Sequence, residues 1–111
     1  MAEAFKQGAV DVVQASDRLD AGHTDELRPL VDAALSHGQP MLVIDLKDVP
    51  LIDSDGLEFL MDVRDLCLRR GGEFKLSGPG ALCLDILRVS GVDEDIEVVS
   101  NIVTAAGSFA R

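Results

Sequence analysis

The run Met41-Leu42-Val43-Ile44-Asp45-Leu46, followed after a short loop by Leu51-Ile52-Asp53-Ser54-Asp55-Gly56-Leu57, decides how the chain is read. The first part is a continuous apolar segment broken only by Asp45, with Pro40 ahead of it. A run of that length reads as a strand covered on both faces. The second part passes from Leu51-Ile52 into a helical pattern: Leu57, Leu60, Met61, Cys67 and Leu68 fall on one face up to about Arg70. Arg64 stands in an apolar slot of that face and is expected to send its head to water. Arg69 and Arg70 suit the negative end of the helix, and Gly71-Gly72 ends it. A buried strand that turns directly into an amphipathic helix is the unit of an α/β domain.

The same alternation extends in both directions. Val10, Val12 and Val13 predict a strand over residues 9–15, broken at 18–22 by Arg18-Leu19-Asp20-Ala21-Gly22. Leu27, Leu30, Val31, Ala34 and Leu35 then mark one face of a helix, with Asp25 and Glu26 expected in its first turn, Pro29 early in it and Gly38 as its stop. Beyond the opening stretch, Glu73–Ser77 reads as a strand with Phe74 and Leu76 sharing a face. Pro79 is expected to open a helix that packs Cys83, Ile86 and Leu87 and stops at Gly91. A short strand follows over 96–99. Ser100 then caps a final helix carrying Ile102, Val103 and Ala106. The expected order is β-α-β-α-β-α-β-α, with the first seven residues and 107–111 frayed.

Composition limits what such a domain does. The length of 111 residues suits a single domain, with a core over about 9–106, able to bury about two-thirds of its unfolded surface without a metal or disulfide. Four Phe and no Trp or Tyr leave few stacking platforms for single-stranded nucleic acid. A net charge of −10 repels phosphate backbones and anionic membranes and suits a basic protein partner, or serves solubility alone. No apolar run approaches the roughly 20 residues of a membrane span, and Met1-Ala2-Glu3-Ala4 has no basic, apolar leader pattern. A cytoplasmic protein is expected, without nucleic-acid binding or membrane insertion. Cys67 and Cys83 form no CxxC pair and lie in apolar helical patterns, so they read as buried core thiols in a reducing compartment.

Chemistry concentrates at Ile52-Asp53-Ser54-Asp55-Gly56-Leu57. Ser54 or Asp55 can cap the helix, and Asp55 with Glu58 has capping-box spacing. Gly56 lets another backbone approach closely. A good helix start accounts for these residues without further function. The hydroxyl has a second use: phosphorylation there adds about −1.5 to −2 charge. The helix N-terminus welcomes that charge and Asp53 and Asp55 oppose it, which suits a binding switch better than a folding switch. Other constellations fail. Asp53-x-Asp55-Gly56 matches part of a calcium loop, but Leu51 occupies the required first acidic position. Gly71-Gly72 and Gly78-Pro79-Gly80 lack phosphate-loop spacing, Asp20-x-x-His23 supplies only two metal-ligating groups, and nothing orients His23 or His37 as a base for Ser54. No cofactor is expected.

In order along the chain stand Arg18-Leu19-Asp20, Val43-Ile44-Asp45-Leu46, Ile52-Asp53-Ser54 with Gly56-Leu57, Arg70-Gly71-Gly72 and Ser90-Gly91-Val92. On these marks the chain resembles the STAS domain family, the anti-sigma factor antagonists of bacteria, from about Val12 to Phe109. The resemblance implies a mixed sheet of four to five strands flanked by about four helices, and no catalytic activity. It implies binding to a kinase-like anti-sigma factor, which then releases its sigma factor and so regulates transcription. It implies phosphorylation by that partner of the residue matching Ser54, reversed by a phosphatase, with Asp53 shaping the site. Asp20, Asp53, Ser54, Asp55 and Gly56 would meet the partner. Many relatives carry a small residue where this chain has Asp55; its carboxylate either mimics part of a phosphate charge or simply caps the helix. STAS domains also resemble constitutive subunits of larger assemblies, such as lipid-transport ABC complexes or stress-signalling complexes, and a weak homodimer is left open.

Overall fold

The computed structural model describes residues 2–36 and 38–109. Strands β1 (Glu3–Gln7), β2 (Val10–Gln14), β3 (Met41–Asp45), β4 (Glu73–Ser77) and β5 (Glu97–Val99) form one sheet in that spatial order. The pair β1–β2 is antiparallel and the other three pairs are parallel, so the sheet is mixed. Helix α1 (Ala21–Leu35) joins β2 to β3 and α2 (Ser54–Arg69) joins β3 to β4. Helices α3 (Ala81–Ser90) and α4 (Val92–Asp95) join β4 to β5, and α5 (Ile102–Phe109) follows β5.

Strand alternation divides the core between the two faces of the sheet. On one face Val13, Leu42, Ile44, Phe74 and Leu76 pack with Leu27 and Val31 of α1, Phe59, Leu60, Val63 and Cys67 of α2, and Cys83 and Leu87 of α3. On the other, Val10, Val12 and Val43 pack beneath Ala105 of α5, flanked by Ile102, Ala106 and Phe109. Helix α5 is held there by Lys75, which is buried and bonded to Ser108 Oγ, 3.1 Å from Glu97 and 4.6 Å from the centre of the Phe109 ring. The apolar run of β3 is covered on both faces, as its sequence predicts, with Leu42 to Leu46 all buried.

Several local expectations are corrected. Residues 3–7 are not frayed: they pair with β2 from Glu3–Gln14 to Gln7–Val10 across a turn at Gly8, whose φ of 62° favours glycine. Every residue of β1 is exposed, so it carries no apolar alternation to betray it. Helix α1 starts at Ala21, which moves Asp25 and Glu26 beyond the first turn, and it ends at Leu35 before Gly38. Pro29 lies inside it. Helix α3 starts after an N-cap at Gly80, not at Pro79. The last helix is capped by Asn101, whose Oδ1 accepts from the Thr104 N–H at 2.8 Å, rather than by Ser100. Gly107 to Phe109 belong to that helix, so the expected fraying there is wrong; Ala110 and Arg111 lie outside the described residues. With the single-turn α4, the described residues form five helices, in keeping with the mixed sheet flanked by about four helices that was expected.

Candidate functional site

Two parallel strands, β2 and β3, end side by side, and the helices that follow them begin side by side. The connection is an isolated parallel bridge between Leu19 and Ile52. The Leu19 N–H donates to the Leu51 carbonyl at 2.9 Å, and the Asp53 N–H donates to the Leu19 carbonyl at 3.1 Å. Each bridging residue is followed by an aspartate in extended conformation that caps a helix: Asp20 Oδ1 accepts from the His23 N–H, and Asp53 Oδ1 accepts from the Gly56 N–H, both at 2.9 Å. The cap of α2 is thus Asp53, not Ser54 or Asp55. An N-cap needs extended backbone and a short acceptor, and Asp53 meets both conditions once the bridge has straightened it.

Ser54 is then the first residue of α2, exposed, with no hydrogen bond from its hydroxyl to the other described residues. Asp55, also exposed, lies in the same first turn. Gly56 is buried: a Cβ there would stand 2.4 Å from the Leu19 carbonyl oxygen and 2.9 Å from Ile52 Cγ2. Its place in the site is to let α2 close on the bridge. Leu51, at 43% exposure, stands beside the turn.

Around Asp20 the structure gathers Asp17, Arg18 and His23, its neighbours in sequence, into one charged cluster. Arg18 Nε donates to Asp20 Oδ2 at 2.8 Å, His23 Nδ1 lies 2.7 Å from Asp20 Oδ1, and His23 Nε2 lies 3.2 Å from Asp17 Oδ2. The backbone and ring hydrogen bonds from His23, and that from Arg18, hold the Asp20 carboxyl well below the usual carboxylate range. The hydrogen bond to Asp20, with the charges of Asp17, Asp20 and Glu26, raises the His23 pKa. His23 therefore braces the cap of α1; His37 lies outside the described residues.

A second cluster lies beneath the strand ends. The buried Asp45 accepts from Gln14 Nε2 at 2.9 Å and from Ser77 Oγ at 3.0 Å, tying together the ends of β2, β3 and β4. The one visible signal is the lone carboxylate in the apolar run 41–46. Arg64 does not simply send its head to water: it is half-buried, its Nε donating to the Asp95 carbonyl at 3.0 Å and its guanidinium pairing with Asp65 at 3.2 Å. Cys67 and Cys83 are free thiols buried in the core. Burial pushes the Cys67 thiol up to about 11 and raises that of Cys83.

The sheet order, the helices on its two faces and the paired helix starts define a domain of the STAS class. The chain belongs to the STAS domain family: the family model described as Mlab, STAS domain, matches residues 3–104. Among solved structures, it is similar to a Thermotoga maritima protein assigned to the anti-sigma factor antagonists, with TM-score 0.90, 21% identity, and 99% of this chain and 95% of that chain covered. It is also similar to an anti-sigma-factor antagonist (STAS) domain protein from Planctomyces limnophilus, with TM-score 0.88, 23% identity, and coverage of 99% and 98%. A sulfate transporter family protein from Wolinella succinogenes matches with TM-score 0.74, 22% identity, and coverage of 87% and 81%. No curated protein sequence matches. Among the described residues, no helix is long and apolar enough to cross a membrane.

Proposed function

We propose that the protein is an anti-sigma factor antagonist, a non-catalytic cytoplasmic binding module whose Ser54 is phosphorylated by a kinase-like anti-sigma factor and dephosphorylated by a phosphatase. The observation that carries the reading is the Ser54 hydroxyl: exposed, without a hydrogen bond to the other described residues, and directly after a cap that leaves it at the positive end of α2. Its rivals are less available. Ser77 is buried and bonded to Asp45, and Ser90 donates to the Leu87 carbonyl at 3.2 Å. Asp53 and Asp55 flank the acceptor with negative charge, Asp20 caps the neighbouring helix start, and Gly56 keeps the turn tight. A partner that presents ATP phosphates to Ser54 meets a second anionic group once the serine is modified, and charge repulsion across a desolvated contact releases it.

The test is incubation of the protein with its cognate ATP-binding anti-sigma factor and ATP, followed by phosphosite mapping. One phosphate on Ser54, lost in Ser54→Ala, is expected. Phosphate on Ser77 or Ser90, or none, would refute the reading.

A second reading is a constitutive subunit of a larger assembly, such as a lipid-transport ABC complex. The family description and the Wolinella succinogenes transporter-family neighbour support it. Under that reading the Ser54 face is a permanent contact, and Ser54→Ala leaves assembly unchanged.

A further inference from the structure

The two edges of the sheet are not alike. Strand β5 is three residues long, and so short an edge offers little for another chain to pair with. Strand β1 is five residues long, every one of them exposed, and it pairs with β2 on one side only. Its register with β2 runs unbroken from Glu3–Gln14 to Gln7–Val10, so no bulge twists the edge away, and it contains no proline. Its one cation does not guard the edge either: Lys6 Nζ is drawn across the hairpin to Asp11 Oδ1 at 3.2 Å.

The turn fixes which backbone groups face outward. Gly8 and Ala9 join the strands, with only Gly8 at positive φ, the pattern of a two-residue type II′ turn. The pair that closes such a turn, Gln7–Val10, exchanges hydrogen bonds, and bonded pairs alternate with unbonded ones along an antiparallel ladder. Glu3, Phe5 and Gln7 therefore bond to β2, while Ala4 and Lys6 turn their N–H and C=O groups to the open edge.

These constraints select one self-complementary pairing. With Phe5 on a two-fold axis, Ala4 of one copy meets Lys6 of the other, outward group against outward group, and Glu3 meets Gln7. Every residue of the strand is then paired and no like charges are opposed. Phe5 meets Phe5 in an unbonded pair, the closer kind, in which aromatic side chains touch. An axis at Lys6 would set ammonium against ammonium. An axis at Ala4 would set Glu3 against Phe5 and leave Gln7 unpaired. A net charge of −10 makes copies of this chain repel, but β1, with one Glu and one Lys, adds no net charge to the contact. Apolar surface lies beside the axis: Phe5 shares its sheet face with Val12, and on that face the exposed Val103 of α5 lines a cleft with Gln7 and Val10.

We infer that β1 is a homodimer interface, at which two copies of the chain pair antiparallel with Phe5 on the two-fold axis and merge their sheets into one. The copies then run in opposite directions, so their Ser54 turns lie at opposite ends of the joined sheet and neither is covered. The pairing stands whether or not Ser54 is phosphorylated. Pairing of so short a strand falls at the low end of interface sizes, below about 1,200 Å², so the dimer is reversible.

The experiment is sedimentation equilibrium of the full chain from micromolar to millimolar concentration, with cysteine trapping to read the register. Wild type should pass from one chain to two. Ala4→Pro removes an N–H that faces outward, a place where an edge strand accepts proline. It should weaken association by about tenfold or more at a nearly unchanged melting temperature. Phe5→Cys should give a covalent dimer under mild oxidation, because an unbonded pair holds its Cα atoms about 4.5 Å apart, within disulfide range. Ala4→Cys and Lys6→Cys should not, since neither position meets its own copy; Cys67 and Cys83 are buried and do not compete. A monomer at every concentration overturns the interface, as does a dimer that Ala4→Pro leaves intact. Faster trapping at position 4 or 6 than at 5 overturns the Phe5 axis. Should Ala4→Pro unfold the hairpin, the comparison of trapping at 5 with trapping at 4 and 6 decides alone.

Discussion

Leu19 and Ile52 form an isolated parallel β-bridge, each one residue ahead of the aspartate that caps its helix. The bridge sets the spacing of the two helix starts. It also extends Asp53, so that the carboxylate turns inward to the Gly56 N–H and Ser54 is left outward.

Gly56→Ala tests that arrangement. In an open helix, alanine would be favoured over glycine by about 1 kcal/mol. Here the added Cβ meets the Leu19 carbonyl oxygen at 2.4 Å, and backbone does not yield as a flexible side chain does. Overpacking of this kind costs about 1–3 kcal/mol. Urea unfolding should show a net loss; a gain in stability would mean that α2 is not pinned against the bridge.

Asp53 and Ser54 should separate in stability measurements. Removing an N-cap oxygen costs about 1 kcal/mol, so Asp53→Ala should lower the urea midpoint. Ser54→Ala removes an exposed, unbonded hydroxyl and should stay within about 0.5 kcal/mol of wild type. Equal losses from both would return the capping role to Ser54.

His23 predicts a pH dependence. Its folded pKa is raised, so its stabilisation is complete below the ordinary value of about 6.5 and is lost as pH rises through the folded value. Asp20 is lowered, so its share is present above its ordinary value and is lost only in strong acid. The brace is therefore strongest in mildly acidic solution. Thermal melts of wild type and His23→Gln should differ more at pH 5.5 than at pH 9, and a constant difference would exclude a charged His23–Asp20 contact.

Both cysteines should resist modification in the folded protein. Burial raises their thiol pKa values and withholds them from solvent, and the thiolate is the reactive form. A chromogenic disulfide should react slowly with native protein and with two thiols promptly in denaturant. Fast native reaction at either residue would place it outside the core.

Burial patterns in the chain locate the elements that pack against the core. Within the run 41–46, Leu42 to Leu46 are buried as the sequence predicts. On α2 the buried stripe is Gly56, Phe59, Leu60, Val63 and Cys67, with Leu57 and Met61 half-buried and Leu68 51% exposed. Burial imposes a period of two or 3.6 on apolar side chains, and the sequence reading placed the period of α2 on the neighbouring flank. Strand β1 has no buried residue and hence no period; its place depends on hydrogen bonds to β2, which any sequence can make. The cap of α2 followed the same division. Asp53, Ser54 and Asp55 are all competent caps, and local preference cannot rank them. Only the contact with Leu19, distant in sequence, extends Asp53 and makes it the cap. The Asp45 tie likewise joins Gln14, Asp45 and Ser77, residues whose separate patterns are ordinary. Their chemistry arises when the sheet brings chain-distant side chains within hydrogen-bonding or packing range, and tertiary structure alone decides that.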